Sequence, residues 1–168
     1  MKKIMIFIFI TVLLVSCTPA AATLPTGTAT IDPLTPIERA RVTLTAYLDA
    51  LSHQDYERAA QYYGGDLEIL TGYNPTLDPS DVSGLFKNGC ELNGLMCLPP
   101  LRILKEDAVS DDRFVFTVQL VNKEGEVFEI GACCGADPED VTPISEFVFE
   151  VEKQGDQFKV LTLPPYVP

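Results

Sequence analysis

The hydrophobic residues of this chain repeat with a helical period before about residue 90 and with a strand period after Leu101. Apolar positions three and four residues apart form one stripe of a helix, whereas strict alternation places apolar side chains on one face of a strand. Helices that precede consecutive hairpins are typical of an α+β domain. The order therefore predicts N-terminal helices packed in a curved antiparallel sheet.

The first predicted helix has all its start signals within four residues. Thr35 is a favourable N-cap, Pro36 takes the first helical position and Glu38 completes a capping box. An apolar stripe then continues to about Ser52. Its members are Ile37, Ala40, Leu44, Tyr47, Leu48 and Leu51. This spacing predicts a long helix with one buried face.

Two shorter helices are predicted to follow. One covers about 55–63 and is stopped by the glycine pair at 64–65. The other begins after Asp78, with Pro79 at its first position, and ends at Gly89.

Strands are predicted wherever apolar residues alternate with polar ones. The segments are 101–109, 113–121, 127–131, 145–152 and 158–163. The turn at 123–126 contains Gly125 and predicts a hairpin.

The N-terminus carries the features of a secretory signal peptide. Lys2 and Lys3 precede an apolar run from Ile4 to Val15, which is shorter than the roughly 20 residues that span a bilayer. The sequence Leu-Val-Ser-Cys that ends at Cys17 resembles the lipobox of bacterial lipoproteins. That resemblance implies cleavage before Cys17, acylation of this cysteine with palmitate or a similar chain, and attachment to the outer face of a membrane. An ordinary signal peptide cleaved nearby is the alternative.

The predicted organisation is a signal peptide at 1–16, a linker at 17–34 and a single α+β domain at 35–168. The linker is dominated by Thr, Ala and Pro and has no hydrophobic period, so it cannot bury a core.

The chain is strongly acidic. The signal peptide holds two of the 12 basic residues and none of the 24 acidic ones, so the rest has a formal charge of −14. Such a surface repels nucleic acid and anionic lipid, which excludes nucleic-acid binding and favours a covalent membrane attachment.

Four cysteines remain after Cys17 and form two pairs of neighbours in the sequence: Cys90 and Cys97, and Cys133 and Cys134. An even number in an exported chain favours disulfide bonds. Pairing within the first pair would leave the adjacent cysteines of the second to bridge each other, which is a strained geometry. We therefore expect two long-range bridges between the pairs. Zinc is disfavoured because neither pair has the Cys-x-x-Cys spacing.

Two segments resemble nuclear transport factor 2-like (SnoaL-like) domains. The sequence TPIERARVTLTAYLDALSHQDYERAAQYY is similar to their opening helix pair, and FVFEVEKQGDQFKVLTLPPY is similar to their terminal hairpin. The resemblance covers about 36–165 and implies a cone-shaped α+β fold. The cysteine-bearing segments 88–100 and 131–143 depart from the family pattern.

A cone of this kind can enclose a pocket. The residues expected to line such a pocket are Tyr47, Tyr63, Phe114 and Phe116. The other interpretation makes both tyrosines core residues with hydroxyls near the rim. Enzymes of the family use a tyrosine with an Asp or His inside the cone, and no such set can be matched here. Family members often form dimers through the outer sheet face, and a homodimer is left open here.

Neither catalytic nor metal-binding motifs are found in the sequence. His53 is predicted to be a solvated turn residue, and the acidic segment 137–140 is predicted to start a short helical turn rather than to bind a cation. We predict no catalytic residue, metal or cofactor.

The function expected from these features is a non-catalytic lipoprotein domain that binds an envelope protein or a small apolar ligand. The alternatives are an isomerase or dehydratase that uses the cone, and a redox role for the adjacent cysteines 133 and 134.

Overall fold

A computed structural model of the protein describes residues 34–132, 137, 139 and 141–167. The predicted signal peptide, Cys17 and nearly all of the predicted linker lie outside the described residues. Within the described part of the chain, none of the helices has the length and hydrophobicity needed to cross a membrane.

In the described residues, four helices precede four strands. The helices are α1 (Pro36–Ser52), α2 (Tyr56–Tyr62), α3 (Glu68–Tyr73) and α4 (Val82–Glu91). The strands are β1 (Pro100–Ala108), β2 (Arg113–Leu120), β3 (Phe147–Gln154) and β4 (Gln157–Val160). They form an antiparallel sheet in the order β1-β2-β3-β4. The molecule is thus an α+β fold, as predicted, and is consistent with the cone that the sequence resembles.

The start of α1 confirms the predicted capping box. The Thr35 hydroxyl accepts a hydrogen bond from the Glu38 backbone N–H, and the Glu38 carboxylate accepts one from the Thr35 backbone N–H. The predicted stripe is buried from Ala40 to Leu51, with Ile37 partly buried at its edge.

The core lies between α1 and the inner face of the sheet. Alternate residues of β2 and β3 face inward, so the two strands contribute aromatic and aliphatic side chains to one layer. The inward residues of these strands are Phe114, Phe116, Val118, Leu120, Phe147, Phe149 and Val151. A bidentate pair joins α1 to β1, because Arg41 donates to both carboxylate oxygens of Glu106 at 2.5 and 2.6 Å.

Several predicted bounds are wrong. Helix α3 was not predicted, since it has only six residues and no repeated apolar period. Helix α4 starts at Val82 rather than beside Pro79, because Asp81 is the N-cap and accepts from the Gly84 N–H at 2.9 Å. Gly89 does not end this helix but lies buried inside it.

The predicted strand at 127–131 does not form. Only two isolated bridges occur there, Val121 with Val127 and Ile130 with Ile144. The predicted strands at 145–152 and 158–163 are found, with β3 displaced to Phe147–Gln154 and β4 reduced to Gln157–Val160.

Candidate functional site

The aromatic residues predicted to line an interior pocket lie in the packed core. Tyr47, Tyr63, Phe114 and Phe116 are all buried. The ring of Phe86 lies edge-on to both tyrosines, with centroid distances of 5.8 Å to Tyr47 and 5.2 Å to Tyr63. Side chains therefore fill the space around these residues.

The two core tyrosines differ in their hydroxyl groups. The Tyr63 hydroxyl donates to the carbonyl oxygen of Asp66 at 2.7 Å, whereas the Tyr47 hydroxyl has no hydrogen-bond partner among the described residues. Burial raises the pKa of Tyr47 well above its ordinary value and also raises the pKa of Tyr63. Both phenols are therefore neutral at physiological pH.

The acid–base set of an isomerase also needs a buried carboxylate. The buried polar residues of the described chain are Asn74 and Gln119, and none of its aspartates or glutamates is buried. The described core thus contains no buried carboxylate beside these two tyrosines.

Replacing Tyr47 with phenylalanine is expected to raise the free energy of unfolding by about 1 kcal/mol, because a buried hydroxyl without a partner is removed. Tyr63→Phe is the matched control and is expected to lower it by about 1 kcal/mol, since a hydrogen bond is lost. Urea denaturation measures both values. A loss of stability in both variants would contradict the conclusion that the Tyr47 hydroxyl has no hydrogen-bond partner.

His53 lies where a turn residue was predicted. It is the C-cap of α1, its side chain is 72% exposed, and its Nδ1 lies 2.9 Å from the carbonyl oxygen of Asp49. In the acidic segment, the Asp137 carboxylate accepts from the Glu139 N–H at 3.0 Å, while residues 138 and 140 lie outside the described residues. Within the described chain, His, Cys, Asp and Glu side chains form no group of three or more that could hold a metal ion.

The structure joins Cys90 to Cys97 in a disulfide bond, with a Cα–Cα distance of 5.6 Å. The expected bridges between the two cysteine pairs are therefore wrong. Cys133 and Cys134 lie outside the described residues, so their disulfide and redox roles stay predictions.

An apolar surface groove, which we call the tyrosine groove, lies between α3, the segment after α4 and the C-terminal segment. It has a volume of about 240 Å³. Its walls are formed by Ile69, Leu70, Tyr73, Leu95, Leu163 and Tyr166.

Two stacked tyrosines lie in the exposed part of the tyrosine groove. The rings of Tyr73 and Tyr166 are stacked, with centroids 6.0 Å apart and planes 14° from parallel. They are 52% and 44% exposed, and the neighbouring Ile69 is 64% exposed. A hydrogen bond with Tyr73 raises the pKa of Tyr166. The two side chains thus present a flat aromatic surface beside an apolar cavity.

Hydrogen bonds fix the helical wall of the tyrosine groove. The side chain of Asn74, just after α3, donates to the Leu70 carbonyl oxygen at 2.8 Å and accepts from the Asn88 amide at 2.9 Å. Because Asn88 belongs to α4, these hydrogen bonds fix the end of α3 against α4.

The C-terminal wall is held by backbone hydrogen bonds to the loop that the disulfide closes. Met96 N–H donates to the Pro165 carbonyl at 2.8 Å, and Val167 N–H donates to the Gly94 carbonyl at 2.9 Å. These bonds bracket Tyr166 and place it beside α3.

Sequence reasoning missed the tyrosine groove. Tyr73 and Tyr166 lie in segments without an apolar period, and their contact joins distant parts of the chain. The available signal was local: Ile69 and Tyr73 are four residues apart, which places both on one face of a helix.

A scan against protein-family models finds no match, and a search of curated proteins finds none either. Among solved structures, the chain is similar to the crystal structure of an uncharacterised cystatin-fold protein from Novosphingobium aromaticivorans, at 14% sequence identity. The match covers 77% of this chain and 100% of that chain, with a TM-score of 0.37. A similarity of this degree carries no information about activity.

Proposed function

We propose that this protein is a lipid-anchored binding protein of the bacterial cell envelope with a nuclear transport factor 2-like domain, and that this domain holds a partner protein at the tyrosine groove. The observation that carries the binding role is the stacked, half-exposed pair Tyr73 and Tyr166 beside an apolar cavity.

The chemistry of the tyrosine groove supports a binding role. Clustered exposed apolar side chains are unfavourable in water, and such patches on monomeric domains mark interaction sites. Tyrosine is enriched among the residues that dominate binding energies, because it buries a large rigid surface and keeps a polar hydroxyl.

The size of the groove favours a protein partner over a small apolar molecule. Its volume of about 240 Å³ is below the roughly 300–1,000 Å³ of drug-sized ligand pockets. An open groove of this volume suits one or two apolar side chains presented by another protein, with the tyrosine pair covering their flank.

The proposed anchor is Cys17. Its support is the order of two lysines, an apolar run and the small Ser16 directly before the cysteine. The linker that follows has a reach on the order of 20–25 Å as a flexible coil, which suits a domain that meets partners near a membrane surface.

Site-specific photocrosslinking of the full chain in its own envelope tests the binding role. A benzophenone amino acid at position 69, within the groove, is compared with the same residue at position 148. Both native side chains are exposed and apolar, and Val148 lies in β3. We expect a discrete adduct with a partner protein from position 69 only.

Tyr73→Ser in the same crosslinking chain is expected to reduce the adduct at least tenfold, since loss of one interface anchor weakens binding by about 2 kcal/mol, or roughly 30-fold. Equal adducts from both positions, no adduct from position 69, or an adduct that survives Tyr73→Ser would each contradict the groove assignment. A small apolar molecule that copurifies with the native chain but not with Tyr73→Ser would contradict the proposal that the ligand is a protein.

The anchor is tested separately in the same cells. Cys17→Ser is expected to abolish labelling by a palmitate analogue and to release the chain from the membrane fraction. Labelling that persists would contradict the anchor without affecting the groove result.

A further inference from the structure

A second cavity, polar in character, lies away from the tyrosine groove. It is formed by α1, the end of α2 and the turn between β3 and β4, and it has a volume of about 300 Å³. We call it the arginine cleft. The residues that matter for its chemistry are Arg39, Thr43, Gln61, Tyr62, Asp156 and Phe158.

The guanidinium of Arg39 is held in place without a carboxylate partner. It donates to the backbone carbonyl of Asp156 at 3.1 Å, and its Cζ lies 5.3 Å from the centre of the Phe158 ring. No carboxylate of the described residues lies within 4.0 Å of it. The remaining N–H groups of this planar cation are therefore available to a ligand.

A further cation lies beside the arginine cleft. The Lys159 ammonium donates to the backbone carbonyl of Gln61, which lines the cleft.

Two basic side chains at the arginine cleft have no carboxylate partner among the described residues. Acidic residues are twice as frequent as basic ones in this chain, and Arg41, Lys105, Arg113 and Lys153 pair with carboxylates. Neither Arg39 nor Lys159 has a described carboxylate oxygen within 4.0 Å. Two such cations at one cavity favour an anion there.

We propose that the arginine cleft binds the carboxylate of a small polar molecule, such as a hydroxy acid or sugar acid. A planar guanidinium matches a carboxylate through two parallel hydrogen bonds. The amide of Gln61 and the hydroxyl of Tyr62 can bond to hydroxyl groups of the same molecule. The Asp156 carboxylate also borders the cleft and repels anions, which favours a monoanion over a doubly charged phosphate.

Titration calorimetry of the full chain in detergent tests this site, with glucuronate as the probe, glucose as the neutral analogue and inorganic phosphate as the competing anion. We expect saturable binding of glucuronate with a Kd of about 1 mM or tighter, and no measurable binding of glucose or phosphate.

Variants connect the binding to one side chain. Arg39→Gln is expected to weaken binding at least tenfold, and Arg39→Lys less strongly, since the charge remains but the planar fork is lost. Arg102→Gln is the matched control, because Arg102 also lacks a carboxylate partner among the described residues but lies on β1 and donates to Gln119. Its affinity is expected to stay within twofold of the native chain.

Each other outcome overturns the proposal. Absence of saturable glucuronate binding excludes the site, and equal binding of glucose excludes carboxylate recognition. Phosphate that binds as tightly as glucuronate replaces the proposed ligand class. If Arg39→Gln unfolds, as shown by its melting curve, the folded Arg39→Lys variant decides: an affinity equal to that of the native chain contradicts the role of Arg39.

Discussion

Replacing Gly94 with alanine is expected to lower the free energy of unfolding by about 2–4 kcal/mol. Gly94 has a φ of +82°, a left-handed conformation that costs other residues about 1–2 kcal/mol. An added Cβ would also collide with the backbone carbonyl of Val167 and lie 3.2 Å from the ring of Tyr166. Because Val167 is hydrogen-bonded to Gly94, the C-terminal wall of the tyrosine groove must move. Urea denaturation measures the loss.

Gly125→Ala separates the two causes. Gly125 has a φ of +85°, and a Cβ there would meet no atom within 4 Å, so only the conformational cost of about 1–2 kcal/mol applies. The difference between the losses of unfolding free energy in Gly94→Ala and Gly125→Ala is the cost of the collision with the C-terminal segment. Equal losses would contradict this contact. Crosslinking from position 69 is expected to fall only in Gly94→Ala, since that change displaces Tyr166.

The elements whose signals are local could be predicted from the sequence. The start of α1 depends on Thr35, Pro36 and Glu38, which satisfy each other's backbone groups without help from the rest of the chain. Strand β2 alternates from Phe114 to Val118 because one face is buried in the core and the other is only partly buried. These features define the α+β class.

Gly89 illustrates what a local pattern does not reveal. Glycine commonly ends helices, but here its lack of a side chain is used for packing. A Cβ at this position would lie 2.7 Å from Leu95 and 3.2 Å from Leu70, both of which belong to the tyrosine groove. The reason for this glycine is a tertiary contact, so the sequence alone could not distinguish it from a helix stop.

The tyrosine groove is missing from the sequence interpretation for the same reason. It is built from three segments that are far apart in the chain, and each contributes two or three residues to it. Its isolated exposed aromatics have no periodic signal, whereas the buried aromatics of β2 and β3 do. The interior positions were therefore found, and the external groove was not.

The disulfide was mispredicted because all four cysteines were expected to be oxidised together. A bridge between Cys90 and Cys97 requires a vicinal bridge between Cys133 and Cys134 only if every cysteine must be oxidised. The local geometry favours the short loop: Cys90 lies in the last turn of α4, and Gly94 reverses the chain so that Cys97 returns to it.

Removing this bridge is expected to destabilise the protein by about 2.5 kcal/mol, the loop-closure entropy of an eight-residue loop in the chain-entropy model. The variant is Cys90→Ala with Cys97→Ala, measured by urea denaturation. Because Leu95 lies inside the closed loop and lines the tyrosine groove, crosslinking from position 69 is expected to weaken as well. Cys133→Ala with Cys134→Ala is the matched control and is expected to leave the adduct intact.

A tryptic digest of the unreduced protein tests the connectivity directly. Cys90 and Cys97 both lie in the peptide 88–102, between Lys87 and Arg102, whereas Cys133 and Cys134 lie in the peptide 124–153. The structure predicts a free peptide 88–102 that is lighter by two hydrogen atoms than its reduced form. Bridges between the pairs would instead join the two peptides, and that result would contradict the pairing. The stability of the variant with Cys90→Ala and Cys97→Ala gives a separate test. If its unfolding free energy lies within about 0.5 kcal/mol of the native value, which is the scatter of neutral surface substitutions, the disulfide has no role in stability.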